Sequence, residues 1–145
     1  MSAVTQRKEQ EAVITADRSS LAIPATIIGI AITLLFITGI VHFIDAPDSL
    51  SELPYKGWMF IANGIGALIA AYGVFRQKSW GWYLGLLIAG GALVGYVISR
   101  TVGLPGAEGP DEWLEPLGIL SLIVEGGFVI FFLSQVRALF KPNAA

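Results

Sequence analysis

The chain has 145 residues, 54% of them hydrophobic, and a formal net charge of −2. This length and composition leave room for one helical bundle, but not for a separate soluble domain beside it. A weakly negative chain without a basic stripe between aromatic residues gives no indication of a nucleic-acid partner. The sequence contains no cysteine, which excludes disulfides, thiolate metal sites, iron–sulfur clusters and thiol redox chemistry.

Four apolar stretches dominate the chain, at 24–44, 57–75, 80–99 and 117–136. Each is about 20 residues long, which at about 1.5 Å per residue spans the hydrocarbon core of a bilayer, about 30 Å thick. The first stretch is too long for the apolar region of a secretory signal, so we expect it to be retained. The sequence therefore predicts an all-α integral membrane protein. Its four-helix bundle covers 21–140, between tails at 1–20 and 141–145.

Basic residues predict the orientation of these spans. Seven of the nine lysines and arginines lie before the first span, between the second and third, or after the fourth: Arg7, Lys8, Arg18, Arg76, Lys78, Arg137 and Lys141. Short loops rich in Lys and Arg stay in the cytoplasm. We therefore predict that both termini are cytoplasmic and that the two acidic connectors are external. The pattern indicates a multi-pass protein of a bacterial or archaeal cytoplasmic membrane.

Small residues recur at intervals of four in the second and third spans. The candidate helix-packing positions are Gly66 in the second span and Gly81, Gly85, Gly91 and Gly95 in the third. Helices associate in bilayers through close backbone approach at such residues. One glycine face of the third span is expected to pack the hairpin with the second. Gly91 and Gly95 form a second face, which either contacts another polypeptide or accommodates Tyr96 or Phe128 inside the monomer.

Aromatic residues and one long connector mark the ends of the spans. Tyr55, Trp58 and Trp113 are expected at the outer interface, and Trp80, Trp82 and Tyr83 at the inner one. The connector at 100–116 is rich in glycine, proline and acidic residues, so it predicts an irregular lid over the outer surface.

Glu125 is the residue in the spans that most needs an explanation. It lies about nine residues into the fourth span, or roughly 13 Å below the outer boundary. A charged carboxylate at that depth costs about 3 kcal/mol, so such residues face the bundle interior and are functional candidates. We expect Glu125 to face protein and to be neutral at pH 7.

Other polar residues in the outer half of the spans are candidates to converge on Glu125. They are Thr38 and His42 in the first span, Asn63 in the second, Tyr96 and Arg100 in the third, and Ser121 in the fourth. Thr38, His42 and Asp45 follow each other at i, i+4 and i+7, and so share one stripe of a helix. The sequence predicts a polar pocket open to the outside, with Glu125 at its floor and His42 and Arg100 near its mouth.

Each of these residues has more than one interpretation. Glu125 either fixes the helix register through hydrogen bonds or binds a proton, cation or ligand. Arg100 either extends towards headgroups or binds an anionic or quinone-like group. His42 and Asp45 are weak metal candidates. Haem would need a second axial ligand, which His42 of a twofold-related copy would have to supply.

The segment Gly39-x-x-His42-Phe43, followed by Pro47, resembles the G-x-x-H-F-x-x-x-P signature of DoxX-like membrane proteins. Those proteins are also small four-helix proteins, typically with a basic turn between the second and third helices. The resemblance implies an accessory subunit of a quinone-linked or sulfur-oxidising membrane complex, and it transfers only His42, without a defined role. The segment at 99–106 resembles a pattern of uncharacterised small bacterial membrane proteins and is not part of the DoxX signature.

Two functions remain open at this point. We expect an accessory or structural subunit of a larger membrane complex, with membrane lipids and either other membrane subunits or a second copy of the chain as partners. The alternative is a small binding or transport unit that uses the pocket around Glu125 for a proton, cation, quinone or lipid headgroup. The sequence requires no cofactor, although a lipid or quinone would suit the pocket. No catalytic constellation is present, so we do not expect an enzyme.

The predicted orientation can be tested with single cysteines, because the natural chain has none. Cysteines replacing Asp48 and Gly109 should react with an impermeant thiol reagent added to intact cells, whereas those replacing Lys8 and Lys78 should not. Both groups should react after the membrane is opened. Labelling at position 78 from outside would contradict the orientation.

Overall fold

The structure, a computed structural model, describes residues 4–11 and 23–139, without the side chains of 137 and 138. Helices in these ranges are α1 (4–11), α2 (Ala25–Glu52), α3 (Pro54–Phe75), α4 (Ser79–Thr101) and α5 (Pro116–Leu139). The described residues contain no strand, so the all-α prediction is confirmed. The tail at 141–145 and most of the tail at 1–20 lie outside the described residues.

Helices α2 to α5 are each long and apolar enough to cross a membrane. Their most apolar 18-residue windows have mean hydropathies of 2.5, 1.6, 1.7 and 2.2. Only 28–33% of each window is buried inside the bundle, so most of its residues keep at least part of their surface outside the core, and the exposed ones include many large hydrophobic side chains. An outward apolar surface is what a bilayer requires, and the chain is therefore an integral membrane protein.

The first spanning helix is longer than the sequence indicates. Helix α2 continues past Ile44 and through Pro47 to Glu52, and only Leu53 separates it from α3. The continuation is stabilised by packing, because Ala46 and Ser49 extend the buried stripe of α2 beyond its last predicted residue. The acidic connector expected between the first two spans is therefore mostly helical.

Helices α3 and α4 form a tight hairpin at their other end. Gln77 adopts a left-handed conformation with φ of 52°, and the amides of Gln77 and Lys78 donate to the carbonyls of Val74 and Gly73, both at 2.9 Å. This pattern is the Schellman ending of a helix. The backbones of Gly73 and Gly81 touch directly, so a Cβ on Gly81 would overlap the other helix.

Helix α5 packs against α2 and α4 and closes the ring of four antiparallel helices. We call the end that carries the α2–α3 and α4–α5 connectors the outer end, after the predicted orientation. The half of the bundle near the α3–α4 turn has an apolar core of fully buried side chains, which include Leu35, Val74, Trp82 and Phe128.

Trp82 lies in this core and not at the inner interface where the sequence places it. Its ring stacks on Phe128, with ring centroids 5.9 Å apart. The small residues at Gly81 and Gly85 let the neighbouring helices approach α4 closely, which encloses Trp82 one turn after the helix begins.

Candidate ligand-binding cavity

A cavity of about 420 Å³ occupies the outer half of the bundle. Its walls come from α2, α3, α4 and the start of α5, and Leu104 of the α4–α5 connector covers part of it. Most of the lining is apolar, with His42, Asn63 and Ser121 as polar groups at the deeper end. Asp45, Lys56, Arg100 and Glu115 line the end nearer the outer surface.

The cavity opens sideways, between α3 and α4. Two of its lining side chains, Met59 and Leu87, are 61% and 70% exposed on the lateral surface of the bundle. Gly91 and Gly95 also line it, and a Cβ on either would meet no described atom within 4 Å. These two glycines therefore do not accommodate Tyr96 or Phe128.

The sideways opening of the cavity, a gap between α3 and α4, follows from how these two helices meet. Their backbones touch at Gly73 and Gly81, and the side chain of Ile88 still fills the space beside Gly66, within 2.5 Å of where a Cβ would be. Beyond this point, Gly91 and Gly95 of α4 line the cavity without a side chain, together with Ala92 and Tyr96. The predicted packing positions thus divide into two groups: Gly66, Gly81 and Gly85 make contacts, whereas Gly91 and Gly95 border empty space.

His42 forms the centre of the polar floor. Its Nδ1 is 2.9 Å from the carbonyl oxygen of Thr38, which can only accept, so Nδ1 carries a proton. Its Nε2 is 3.0 Å from the amide nitrogen of Asn63, which donates to it. In the neutral imidazole with its proton on Nδ1, Nε2 is therefore the acceptor. The ring packs edge-on against Phe60, with centroids 5.2 Å apart.

Glu125 lies behind this floor and not on it. The side chain is 1% exposed and does not line the cavity. Ser121 Oγ donates to Glu125 Oε1 at 2.7 Å, and the same oxygen is 3.6 Å from His42 Nε2. The carboxyl group is thus separated from the cavity by Ser121 and His42, which themselves line it. The sequence correctly groups these residues but places Glu125 one layer too far forward.

Two oxygens near this floor have no hydrogen-bond partner among the described residues. They are Thr38 Oγ1 and Asn63 Oδ1, and both are buried. A buried acceptor without a donor costs about 1–3 kcal/mol. Neither oxygen is exposed to the cavity, so this unmet hydrogen-bonding capacity lies inside the protein behind the cavity wall.

Arg100 is a structural clamp for the outer lid. Its Nη2 bonds Glu115 Oε2 at 2.7 Å, its Nη1 bonds Ser99 Oγ at 2.7 Å, and its Nε donates to the carbonyl of Glu112 at 3.1 Å. Asp111 adds an ion pair at 3.4 Å. The guanidinium also lies 4.0 Å from the centre of the Tyr96 ring. These contacts occupy the group that the sequence offers to an anionic ligand.

Further contacts to the backbone hold the same connector. The hydroxyl of Tyr96 donates to the carbonyl of Trp113 at 2.6 Å, and that of Tyr55 donates to the carbonyl of Pro105 at 2.7 Å. The connector turns at Gly103 and Gly106, which have φ of 83° and 85°. A residue with a side chain is strained in this conformation, so the two glycines allow the lid to fold back over the cavity.

This arrangement of the described residues offers few ligands to a metal ion. Among the described residues, no group of three His, Asp or Glu side chains is placed to hold a metal ion. Both ring nitrogens of His42 are engaged, with Thr38 and with Asn63. A metal or haem iron at Nε2 would have to displace Asn63, and a histidine from a second copy would have to enter the bundle.

Sequence reasoning did not identify Lys56 and Phe60 as part of this region. Lys56 lines the cavity mouth and pairs with Asp111 at 3.4 Å, and its ammonium lies 5.9 Å from the centre of the Phe60 ring. The sequence spacing could have identified them, because Lys56, Phe60 and Asn63 are spaced i, i+4 and i+7 and so share one face of a helix. Thr38, His42 and Asp45 have the same spacing. The two stripes face each other across α2 and α3.

Comparison of the chain with protein-family models, curated proteins and solved structures finds no match. The resemblance to DoxX-like proteins therefore stays a prediction. The structure gives its residues local roles of their own. Gly39 lets α2 approach α3, since a Cβ there would lie 3.3 Å from the carbonyl oxygen of Gly64, and His42 forms the cavity floor.

Replacing Arg100 by lysine should loosen the lid. Lysine keeps the charge but lacks the planar fork that binds Ser99, Glu112 and Glu115 together. We expect amide hydrogen exchange in 102–115 to accelerate about tenfold or more, which corresponds to about 1.4 kcal/mol of local opening free energy. Arg76→Lys, at an exposed turn residue, is the matched control. Unchanged exchange in Arg100→Lys would contradict the clamp.

Replacing Glu125 by glutamine should leave the bundle nearly intact. Glutamine keeps an oxygen to accept from Ser121 and has nearly the same shape, so we expect a change in unfolding free energy within about 1 kcal/mol. Lysine at this position cannot accept that bond and introduces a buried cation, which should cost about 3 kcal/mol or more. Thermal unfolding of both variants in detergent measures the difference. If glutamine destabilised the protein as much as lysine, Glu125 would have to be an essential carboxylate.

Proposed function

We propose that the protein is a small binding unit of a bacterial or archaeal cytoplasmic membrane, which takes a lipid-soluble molecule from the bilayer into the cavity between α3 and α4. The observation that carries this proposal is the sideways opening at Gly91 and Gly95, which leads from the lipid-facing surface to the polar floor at His42 and Asn63.

The size and lining of the cavity support a binding role. Ligand sites commonly measure about 300–1,000 Å³ and are mostly apolar, with a few polar groups that orient the ligand. At about 420 Å³, this cavity lies within that range and has polar groups from α2, α3 and α5 at its deeper end.

Binding is better supported than conduction across the membrane. Below the cavity, the bundle is filled by side chains that are fully buried, including Leu35, Trp82 and Phe128. Above it, Arg100 and Tyr96 fasten the connector. The side of the bundle is thus its most open boundary, and it faces the bilayer.

The gap also supports a second candidate, an accessory subunit of a larger membrane complex. Gly91 and Gly95 are separated by one helical turn and border open space, which suits the close approach of a helix from another protein. In this case a partner side chain, and not a lipid-soluble molecule, would enter the cavity.

Filling the gap tests both candidates. In the double variant Gly91→Leu/Gly95→Leu the new side chains enter open space, so we expect the monomer to stay folded while the cavity is blocked. The matched control is Gly90→Leu, because a Cβ on Gly90 also meets no described atom within 4 Å but Gly90 does not line the cavity. Native mass spectrometry of each protein, extracted in mild detergent, measures what remains bound.

The binding unit predicts a small molecule that is retained by the natural protein and by Gly90→Leu but lost from the double variant. Loss of a co-purified protein in the same comparison would favour the accessory subunit instead. A double variant that retained the same small molecule would contradict the proposed binding site.

A further inference from the structure

We infer that the cavity binds a lipid-soluble amine, with its ammonium group beside Asp45 and its apolar tail extending between α3 and α4 towards the bilayer. This inference rests on the proposed function and specifies the class of ligand. It depends on three features: the balance of charges at the outer end of the cavity, the accessibility of the Asp45 carboxylate, and the direction of the opening.

The charged groups at the outer end of the cavity balance each other except for Asp45. Lys56 pairs with Asp111 at 3.4 Å. Arg100 pairs with Glu115 at 2.7 Å and with Asp111 at 3.4 Å. These two cations and two carboxylates neutralise each other, and Asp45 adds a third carboxylate at the same end. This end of the cavity therefore has a formal negative charge in excess.

The carboxylate of Asp45 is free to take a partner. It forms neither a hydrogen bond nor an ion pair with the described residues. The neighbouring Lys56 is already held by Asp111 at 3.4 Å and by Glu52 at 4.0 Å. Both carboxylate oxygens of Asp45 keep accessible surface, unlike the enclosed Oδ1 of Asn63. A cation that enters the cavity can therefore pair with Asp45 without breaking a contact of the protein.

The other classes of head group gain less at this position. An anionic group would meet the carboxylate of Asp45, and to reach a cation it would have to displace Asp111 or Glu115 and so break the clamp on the lid. An uncharged group can bond to Asp45, but hydrogen bonds in which both groups are charged are the stronger ones. The charges therefore favour an ammonium group.

The depth of Asp45 also suits an ammonium group. Asp45, Lys56, Arg100 and Glu115 line the same end of the cavity, so this level is the polar interface and not the hydrocarbon core. An amine that is dissolved in a bilayer keeps its charge at the interface and its chain below it, because a charge in the core is costly. It can thus enter from the side without carrying its charge through hydrocarbon.

The shape of the opening specifies the tail. A volume of about 420 Å³ holds a head group about the size of one ring and a short part of a chain, but not a whole membrane lipid. The remaining chain has a route to the bilayer across Gly91 and Gly95, where no side chain obstructs it. An amine with a single chain fits this shape.

Three probes with the same tail separate the head-group charges: 4-dodecylbenzylamine, 4-dodecylbenzyl alcohol and 4-dodecylbenzoate. Their dissociation constants are measured at pH 7 on the full chain in nanodiscs of zwitterionic lipid, with empty nanodiscs as the background. We expect the protonated amine to bind about tenfold more tightly than the alcohol, which corresponds to about 1.4 kcal/mol. The benzoate should bind no more tightly than the alcohol.

Asp45→Asn should lower the affinity for the amine about tenfold, to that of the alcohol, because it removes the charge and nearly keeps the shape. It breaks no hydrogen bond or ion pair with the described residues, so we expect it to fold as stably as the natural chain; Asp45→Ala replaces it if it does not. The matched control is Asp48→Asn, since Asp48 is exposed near the same end of α2 and does not line the cavity. This control should keep the tenfold preference.

Equal binding of the amine and the alcohol to the natural protein would overturn the inference, as would tightest binding of the benzoate. A preference for the amine that survives in Asp45→Asn, or that is lost equally in Asp48→Asn, would overturn the assignment to Asp45. The Gly91→Leu/Gly95→Leu variant should no longer bind the amine. If it kept the preference, the amine would bind on the acidic outer surface and not in the cavity, which also overturns the inference.

These outcomes are distinct from failure of the proposed function. If the amine and the alcohol bind alike and the Gly91→Leu/Gly95→Leu variant excludes both, the cavity binds ligands and only the head-group assignment is wrong. If no probe binds and the natural protein retains no small molecule, the binding unit itself is rejected.

Discussion

Polar side chains at membrane depth must find their partners inside the protein, and this constraint organises the outer half of the bundle. His42 of α2, Asn63 of α3 and Ser121 and Glu125 of α5 form one connected group because lipid offers none of them a hydrogen bond. Three helices are thereby held in one register around a shared polar centre. The fourth, α4, directs its polar residues to the connector above. The cavity lies where these two sets of contacts leave space between them.

Small residues determine where the helices meet and where they do not. Direct backbone contact at Gly73 and Gly81 fixes α3 against α4 at one end, and Phe128 occupies the space beside Gly85. The same kind of residue at Gly91 and Gly95 has nothing opposite it. A glycine pattern therefore creates either a contact or a void, according to the side chain that the facing helix presents. Ile88 of α4 fills the space beside Gly66 of α3, whereas no side chain fills the space beside Gly91 and Gly95.

The spans and the grouping of polar residues were predictable because they depend on local patterns. Hydropathy over about 20 residues identifies a span, and i, i+4, i+7 spacing places Thr38, His42 and Asp45 on one stripe. The role of Arg100 was not predictable, since its partners at 111–115 lie in an irregular connector whose path has no periodicity. Trp82 was misplaced for a similar reason, because its burial depends on how closely other helices approach the glycines beside it. The layer in which Glu125 lies depends on rotations of whole helices that spacing does not define.

The way the connector is fastened has a consequence for how the sequence can change. Tyr55, Tyr96 and the Nε of Arg100 bind backbone carbonyls, at Pro105, Trp113 and Glu112, so these bonds are indifferent to the side chains at those three positions. Only Asp111 and Glu115 contribute side chains to the clamp. Apart from Gly103 and Gly106, whose positive φ favours glycine, and the two clamp carboxylates, substitutions in the lid are thus compatible with these bonds, whereas an insertion or deletion would move every carbonyl out of register at once. Among relatives, the connector should therefore vary in composition outside Gly103, Gly106, Asp111 and Glu115, and hardly at all in length.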